Sequence, residues 1–199
     1  VENNLFARTA TLARVEGVVL EPARTPASWI WAAAGSGRAC RAEERCFFRK
    51  TFAIAGPSVR RGVLNIACNA EFAAWVNGVR VGGGEFRPPV RAGRFALLAN
   101  FRTSTRRVSS FDVTRHPHPG LNVVAVQGTG QDAGAGRLAE LTWKCPRAAP
   151  MTLATDSTWN VSRGCAEEWT RADFVDTAWA AAREMAPYSK GQPAWQGLV

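Results

Sequence analysis

The sequence has little lysine, tyrosine, histidine or methionine: three Lys, one Tyr, two His and two Met among 199 residues. Both histidines, His116 and His118, fall in one His-Pro-His-Pro stretch. They could hold a metal only with a third ligand, which no nearby position offers, so a solvated turn is the favoured reading. No stretch approaches the run of about 18 apolar residues that a membrane helix needs, so no membrane span is expected. No cysteine pair has the C-x-x-C spacing of a zinc site. A G-x-S-x-G nucleophile turn is absent, and the glycine run at 82–84 lacks the Lys-Ser/Thr of a phosphate-binding loop. Acidic residues occur as adjacent pairs, Glu43-Glu44 and Glu167-Glu168, which read as surface charge. No catalytic set stands out, and no enzyme activity is expected.

Arginine is abundant. Together with three lysines it brings the basic residues to 25 against 16 acidic ones, a formal charge of +9. The basic residues are scattered, with no run longer than two, and no zinc-finger spacing, basic helix or RNP-like aromatic motif accompanies them. A solvated basic surface is the favoured reading, with a polyanion-binding face as its rival. A nucleic-acid partner is not expected. Five cysteines are present. Cys40 and Cys46 bracket a polar loop, Cys145 and Cys165 flank a segment of loops, and Cys68 ends an apolar strand. Two disulfides, Cys40–Cys46 and Cys145–Cys165, are expected, although five cysteines also allow other pairings, or none in a reducing compartment. With the glycosylation acceptor Asn160-Val161-Ser162, the bridges point to a secreted, extracellular protein. The chain begins at Val1 and shows no leader, which leaves open what precedes it.

Short strands separated by Gly, Pro, Asn and Asp dominate the pattern. In 46–54 Cys46, Phe48, Phe52 and Ile54 share one face and Arg49 and Thr51 the other, with the Lys50 stem lining the core's edge. Leu64, Ile66 and Cys68 form a second apolar face, and Phe72, Ala74 and Val76 a third, with Trp75 turned away. Asn77-Gly78 predicts a two-residue hairpin turn, Val79 and Val81 its return strand, and Gly82–Gly84 the strand's end. Residues 85–107 read as a long Arg-rich excursion with one strand near Phe95–Leu98. Residues 108–114 alternate, with Phe111 and Val113 against Asp112. Residues 121–127 are apolar on both faces, as expected of a central strand. Residues 128–137 read as a flexible loop, 138–143 and 151–154 as strands, and 173–185 as a short helix capped by Asp173. The N-terminal residues 1–27 form an extension or one further strand, and 28–199 the main domain. Eight or more strands with at most one or two short helices predict an all-β sandwich.

The order of motifs carries a resemblance. It runs through "SWIW" at 28–31, "CFFRKTFAI" at 46–54, "LNIACNAEFAAWVNGVRVGGG" at 64–84 and "FDVTRHPHPGLNVVAVQ" at 111–127. It continues with "RLAELTW" at 137–143, "TDSTWNVS" at 155–162, "DFVDTAWAAARE" at 173–184 and "PAW" at 193–195. This resembles the amino-terminal galactose-binding-like jelly roll of bacterial α-L-rhamnosidases. The resemblance implies a jelly-roll β-sandwich linked to carbohydrate, as a binding module or as the accessory domain of a glycoside hydrolase. The helical barrel that carries rhamnosidase catalysis is absent, so hydrolysis does not carry over. Related jelly rolls often hold calcium, and Asp112, Asn77, Asp132 and Glu140 are the candidate oxygen donors, with no spacing that selects them.

Eight tryptophans are many for this length. Trp29, Trp31, Trp143, Trp159 and Trp179 are expected to pack inside. Trp75 faces away from its strand's apolar set, and Trp169 and Trp195 lie in polar surroundings; an exposed ring of this kind can stack on a sugar or anchor a protein interface. With Asn77 and Arg80 beside the hairpin turn they form the candidate carbohydrate-binding set. The leading expectation is a non-catalytic, lectin-like extracellular module. The alternative is a structural sandwich that self-assembles into an oligomer, filament, sheath or capsid.

Overall fold

A computed structural model describes residues 26–33, 45–56, 58–68, 71–85, 108–129 and 136–187. The described residues form twelve strands and no helix: β1 (Ser28–Trp31), β2 (Arg45–Ile54), β3 (Arg61–Cys68), β4 (Glu71–Val76), β5 (Val79–Glu85), β6 (Ser109–Asp112), β7 (Gly120–Thr129), β8 (Arg137–Lys144), β9 (Met151–Ala154), β10 (Asn160–Ser162), β11 (Ala180–Ala181) and β12 (Arg183–Pro187). One sheet has the order β12-β1-β8-β3-β6, with β9 also paired to β8; the other has the order β11-β10-β2-β7-β4-β5. All pairings are antiparallel. The two sheets stack as a jelly-roll β-sandwich, the fold expected from the strand pattern. Among the described residues no helix is long and apolar enough to cross a membrane.

The core lies between the sheets because alternate residues of each strand point inward. Phe48 and Ile54 of β2, Leu64 and Ile66 of β3, Phe72, Ala74 and Val76 of β4, Val124 and Val126 of β7 and Leu141 of β8 meet there. Trp31, Trp143 and Trp159 are buried in the same core, and Trp29 in a smaller cluster with Ala27, Ala67 and Leu138. β7 is central, paired along its length with β2 and over Val124–Gly128 with β4. Both of its faces are apolar because Val124 and Val126 enter the core while Ala125 packs with Phe47 and Trp169 on the outer side. Lys50 behaves as expected, its amine leaving the core's edge to donate to the Thr158 carbonyl and hydroxyl.

Two side-chain clasps join segments distant in sequence. Thr155, buried behind β9, donates its hydroxyl proton to the Ser28 carbonyl and accepts from the Ala139 amide, tying β1 to β8. Asn77 and Asn122 form an amide pair at one end of the sandwich. The Asn77 amide donates to Asn122 Oδ1 and to the His116 carbonyl, while its own Oδ1 accepts from the Val123 amide. Asn77 and Gly78 have φ of 50° and 81°, the doubly left-handed turn that Asn-Gly favours.

Several expectations are corrected. The helix expected over 173–185 does not form. Residues 173–178 are turns and irregular backbone, and the Ala-rich run after them pairs as β11 with β10 and as β12 with β1. Gly82–Gly84 do not end the return strand but lie within β5. Their lack of Cβ admits neighbouring rings: a Cβ at Gly82 would overlap Phe111, and one at Gly84 would press on Phe72. The loop expected at 128–137 is narrower, since β7 continues through Thr129 and β8 starts at Arg137.

No disulfide joins the described cysteines: Cys46, Cys68, Cys145 and Cys165 are thiols. Cys145 is packed in the core at the end of β8 with its sulfur against Gly56, whereas Cys165 is exposed beyond β10 of the opposite sheet. That separation excludes the Cys145–Cys165 bridge. Cys46 points into the core from β2, so the Cys40–Cys46 bridge is not formed; Cys40 itself lies outside the described residues. Trp195, Asp132, the segment Phe95–Leu98 and the N-terminal extension through residue 25 also lie outside them.

Candidate functional site

Directly paired residues of neighbouring strands share a face. On the outer face of the second sheet the pairings place Arg80, Trp75, Ala125, Arg49, Asn160 and Ala181 in one row across β5, β4, β7, β2, β10 and β11. Phe47 and Gln127 lie in the next row. An aromatic and two arginines on the outside of a sheet would normally meet solvent. Here the segment between β10 and β11 folds across them.

Trp169 is the centre of that cover. It is 5% exposed and packs against Phe47 at 5.2 Å and Trp75 at 5.3 Å, both edge-on, and stacks on Trp179 at 6.2 Å. Phe174 closes the cluster against Trp179 at 5.9 Å. Under this lid Arg49 is wholly buried. Its guanidinium pairs with Asp176 at 2.6 Å, donates to the Phe174 and Arg171 carbonyls, and sits 5.1 Å from the Phe174 ring. A buried cation demands several partners, because removing it from water costs far more than any one contact returns. Both terminal nitrogens are engaged, while Nε has no hydrogen-bond partner among the described residues. Arg49 was expected on the solvent-facing side of β2. It does point outward, and the outer segment covers it.

The hairpin side of this cluster remains open. Trp75 is half-buried and Arg80, its cross-strand partner, is exposed. Thr170 and Arg171 of the cover lie over the Gly78 end of the turn. Arg171 is gripped by both oxygens of Asp173 at 3.1 Å and by Glu168 at 3.4 Å. The hydrogen bond between them raises the Arg171 pKa and lowers that of Asp173, so both stay charged. The result is a shelf with one apolar ring face and flanking donors and acceptors.

Of the five candidate ligand residues, the structure brings three together: Trp75, Trp169 and Arg80. Trp169, expected in polar surroundings, is instead a packing residue. Asn77 adjoins them, but its amide is engaged with His116, Asn122 and Val123 and so holds the turn. Trp195 lies outside the described residues. Asn160 is half-buried in β10 and paired on both sides, to Arg49 and Ala181. Of the calcium candidates, Asp112 and Glu140 belong to the first sheet and Asn77 to the hairpin of the second, and Asp132 lies outside the described residues. Asp112 accepts from the Thr114 amide. Among the described residues no group of three or more His, Cys, Asp or Glu is placed to hold a metal.

No family model matches the chain, and no curated protein sequence matches it. Solved structures do. An α-L-rhamnosidase from Streptomyces avermitilis, solved with L-rhamnose, superposes with a TM-score of 0.63 at 24% identity over 81% of this chain. A rhamnosidase of the GH78 family from Bacillus sp. GL1 gives 0.61 at 26% over 82%. A lectin from Pleurotus ostreatus, solved with GalNAc, gives 0.62 at 20% over 84%. The fold is the one these proteins share. The chain spans 14% and 18% of the two rhamnosidases and 46% of the lectin. The resemblance read from the order of motifs is therefore present in three dimensions, and it extends to a lectin that the motifs did not indicate.

Sequence reasoning missed Arg49 and Arg137. Arg137, at the start of β8, is fully buried and fills the space that Gly128 leaves by having no side chain. It donates to the Gly136, Glu71 and Thr129 carbonyls and lies 5.0 Å from the Trp31 ring. Burial lowers its pKa. The only available signal was Phe47, an aromatic on the wrong face of an alternating strand, which implied a covering layer outside the second sheet.

Proposed function

We propose that the chain is a non-catalytic, extracellular carbohydrate-binding module whose sugar rests on the Trp75 shelf. The observation that carries this reading is the partly exposed Trp75 beside Arg80, on a sandwich of the kind found in a lectin and in rhamnosidases. A tryptophan offers a sugar ring an apolar face, and an adjacent guanidinium offers donors to its hydroxyls. Trp169 supports the shelf from behind and fixes the Trp75 orientation through their edge-to-face contact. The rhamnosidase structures with this fold extend far beyond it, and the activity of those larger proteins is not assigned to this chain. With the disulfides gone, placement outside the cell rests on the Asn160 sequon, and intact-mass measurement of native protein tests that directly.

A glycan array probed with the folded chain tests the function. Saturable binding of a defined set of glycans is expected, weakened about tenfold or more in Trp75→Ala and less in Arg80→Gln. A folded protein that binds no glycan would overturn the reading, as would Trp75→Ala binding with unchanged affinity. Release of sugar from aryl glycosides would contradict the non-catalytic assignment.

A further inference from the structure

Among the described residues, five cations separated in sequence gather at one end of the first sheet. Arg60 and Arg61 enter β3, Lys144 ends β8, Arg147 follows in the turn after it, and Arg115 follows β6. All five are exposed. Arg61 and Lys144 are directly paired across β3 and β8, and the Arg60 amide bonds to the Lys144 carbonyl. Asp112 is the carboxylate among them. It is held ionised chiefly by its Thr114 hydrogen bonds and further by Arg115 and Arg61. Glu140 lies further along the outer face of β8, opposite Asn65. No ion pair neutralises any of the five cations among the described residues.

Two cations facing each other across a strand pair destabilise a sheet. Such a pair costs the fold stability, and an anionic partner removes that cost. We infer that this end of the first sheet is an interaction surface for an acidic polysaccharide, one bearing carboxylates or sulfates along its chain. The inference rests on the carbohydrate reading above and names the chemical class of the glycan. It concerns a surface separate from the Trp75 shelf. Nucleic acid fits less well. Among the described residues there is no helix to enter a groove, and no exposed Trp, Phe or Tyr adjoins these cations to stack on bases. Repeated carboxylates or sulfates ask only for a row of cations.

The test uses the full chain with polygalacturonate and heparin as probes, dextran as the neutral comparison and a short DNA duplex as the competitor class. Expected is binding to at least one acidic polysaccharide that weakens steeply with added salt, as ionic contacts do. The double variant Arg61→Gln/Lys144→Gln loses about tenfold or more in affinity, while its melting temperature stays the same or rises because the like-charge pair is gone. Its Trp75-dependent binding of a neutral glycan is unchanged, which separates failure of this inference from failure of the shelf. Unchanged polysaccharide affinity in the double variant overturns the inference. So does dextran binding as tightly as the acidic polymers, or the duplex binding more tightly than either.

Discussion

Replacing Asp176 with alanine removes the one carboxylate paired with the buried Arg49 guanidinium among the described residues. The cation then remains wholly buried, with the Phe174 and Arg171 carbonyls and the Phe174 ring as its remaining partners. Breaking a buried pair in this way costs about 3–5 kcal/mol. The Asp176 side chain keeps 20% of its surface exposed, so water partly compensates and the lower end applies, about 3 kcal/mol. For a domain of this size that is a fall in melting temperature of about 6–12 °C. Arg49→Met removes the charge itself and leaves two carbonyls short of a donor, and in that background Asp176→Ala strands nothing. The double variant should therefore be more stable than the sum of the single losses implies, by about 2 kcal/mol of coupling. Urea unfolding followed by tryptophan fluorescence measures this, since Trp169 and Trp179 lie in the affected layer. Limited proteolysis should also cut Asp176→Ala after Arg163 or Arg171 before the sandwich opens. Additive losses, or an Asp176→Ala variant as stable as the parent, would refute the claim that this pair holds the outer segment in place.

Gly128→Ala should destabilise by about 3 kcal/mol or more, because its methyl would overlap a guanidinium that has no room to move; urea unfolding checks it. Asn77→Ala should cost about 2 kcal/mol through the lost amide pair and the left-handed turn, and Asn77→Gly less, since glycine accepts the positive φ. Cys165, the exposed thiol, should alkylate in the folded protein while Cys145 reacts only on unfolding. Partial burial raises the Cys165 pKa, so its alkylation should be slower near neutral pH than that of a free cysteine and should speed up as the pH rises. Reducing agent should leave the melting temperature unchanged, because no bridge joins the described cysteines.

The sandwich was legible wherever one face of a strand is buried and the other is not. β2, β3, β4 and β6 announce themselves by alternation, β7 by being apolar on both faces, and the β4–β5 hairpin by Asn77-Gly78. Legibility failed where a distant segment changes what a face meets. Arg49 alternates correctly, and within β2 the outward Phe47 signals a covering layer but not that residues 169–176 supply it. The stretch Ala178–Met185 has strong helical propensity. Propensity is a weak prior, and the unpaired edges of β1 and β10 gain full backbone hydrogen bonding when these residues extend instead. Loop spacing suggested the cysteine bridges but carries no information on which sheet each sulfur faces. Of the candidate site, the neighbouring placement of Trp75 and Arg80 was readable from their position beside the turn. Trp169 was misjudged because its sequence neighbours are polar while its spatial neighbours are Phe47, Trp75 and Trp179.

The most direct test of the Trp75 shelf is a titration of glycan into the isotopically labelled chain, followed at the tryptophan indole N–H signals. The account predicts saturable movement of the Trp75 signal at the glycan concentration that saturates binding, smaller movement at Trp169 behind it, and none at Trp29 or Trp159 in the core. A glycan that binds while the Trp75 signal stays fixed would contradict it.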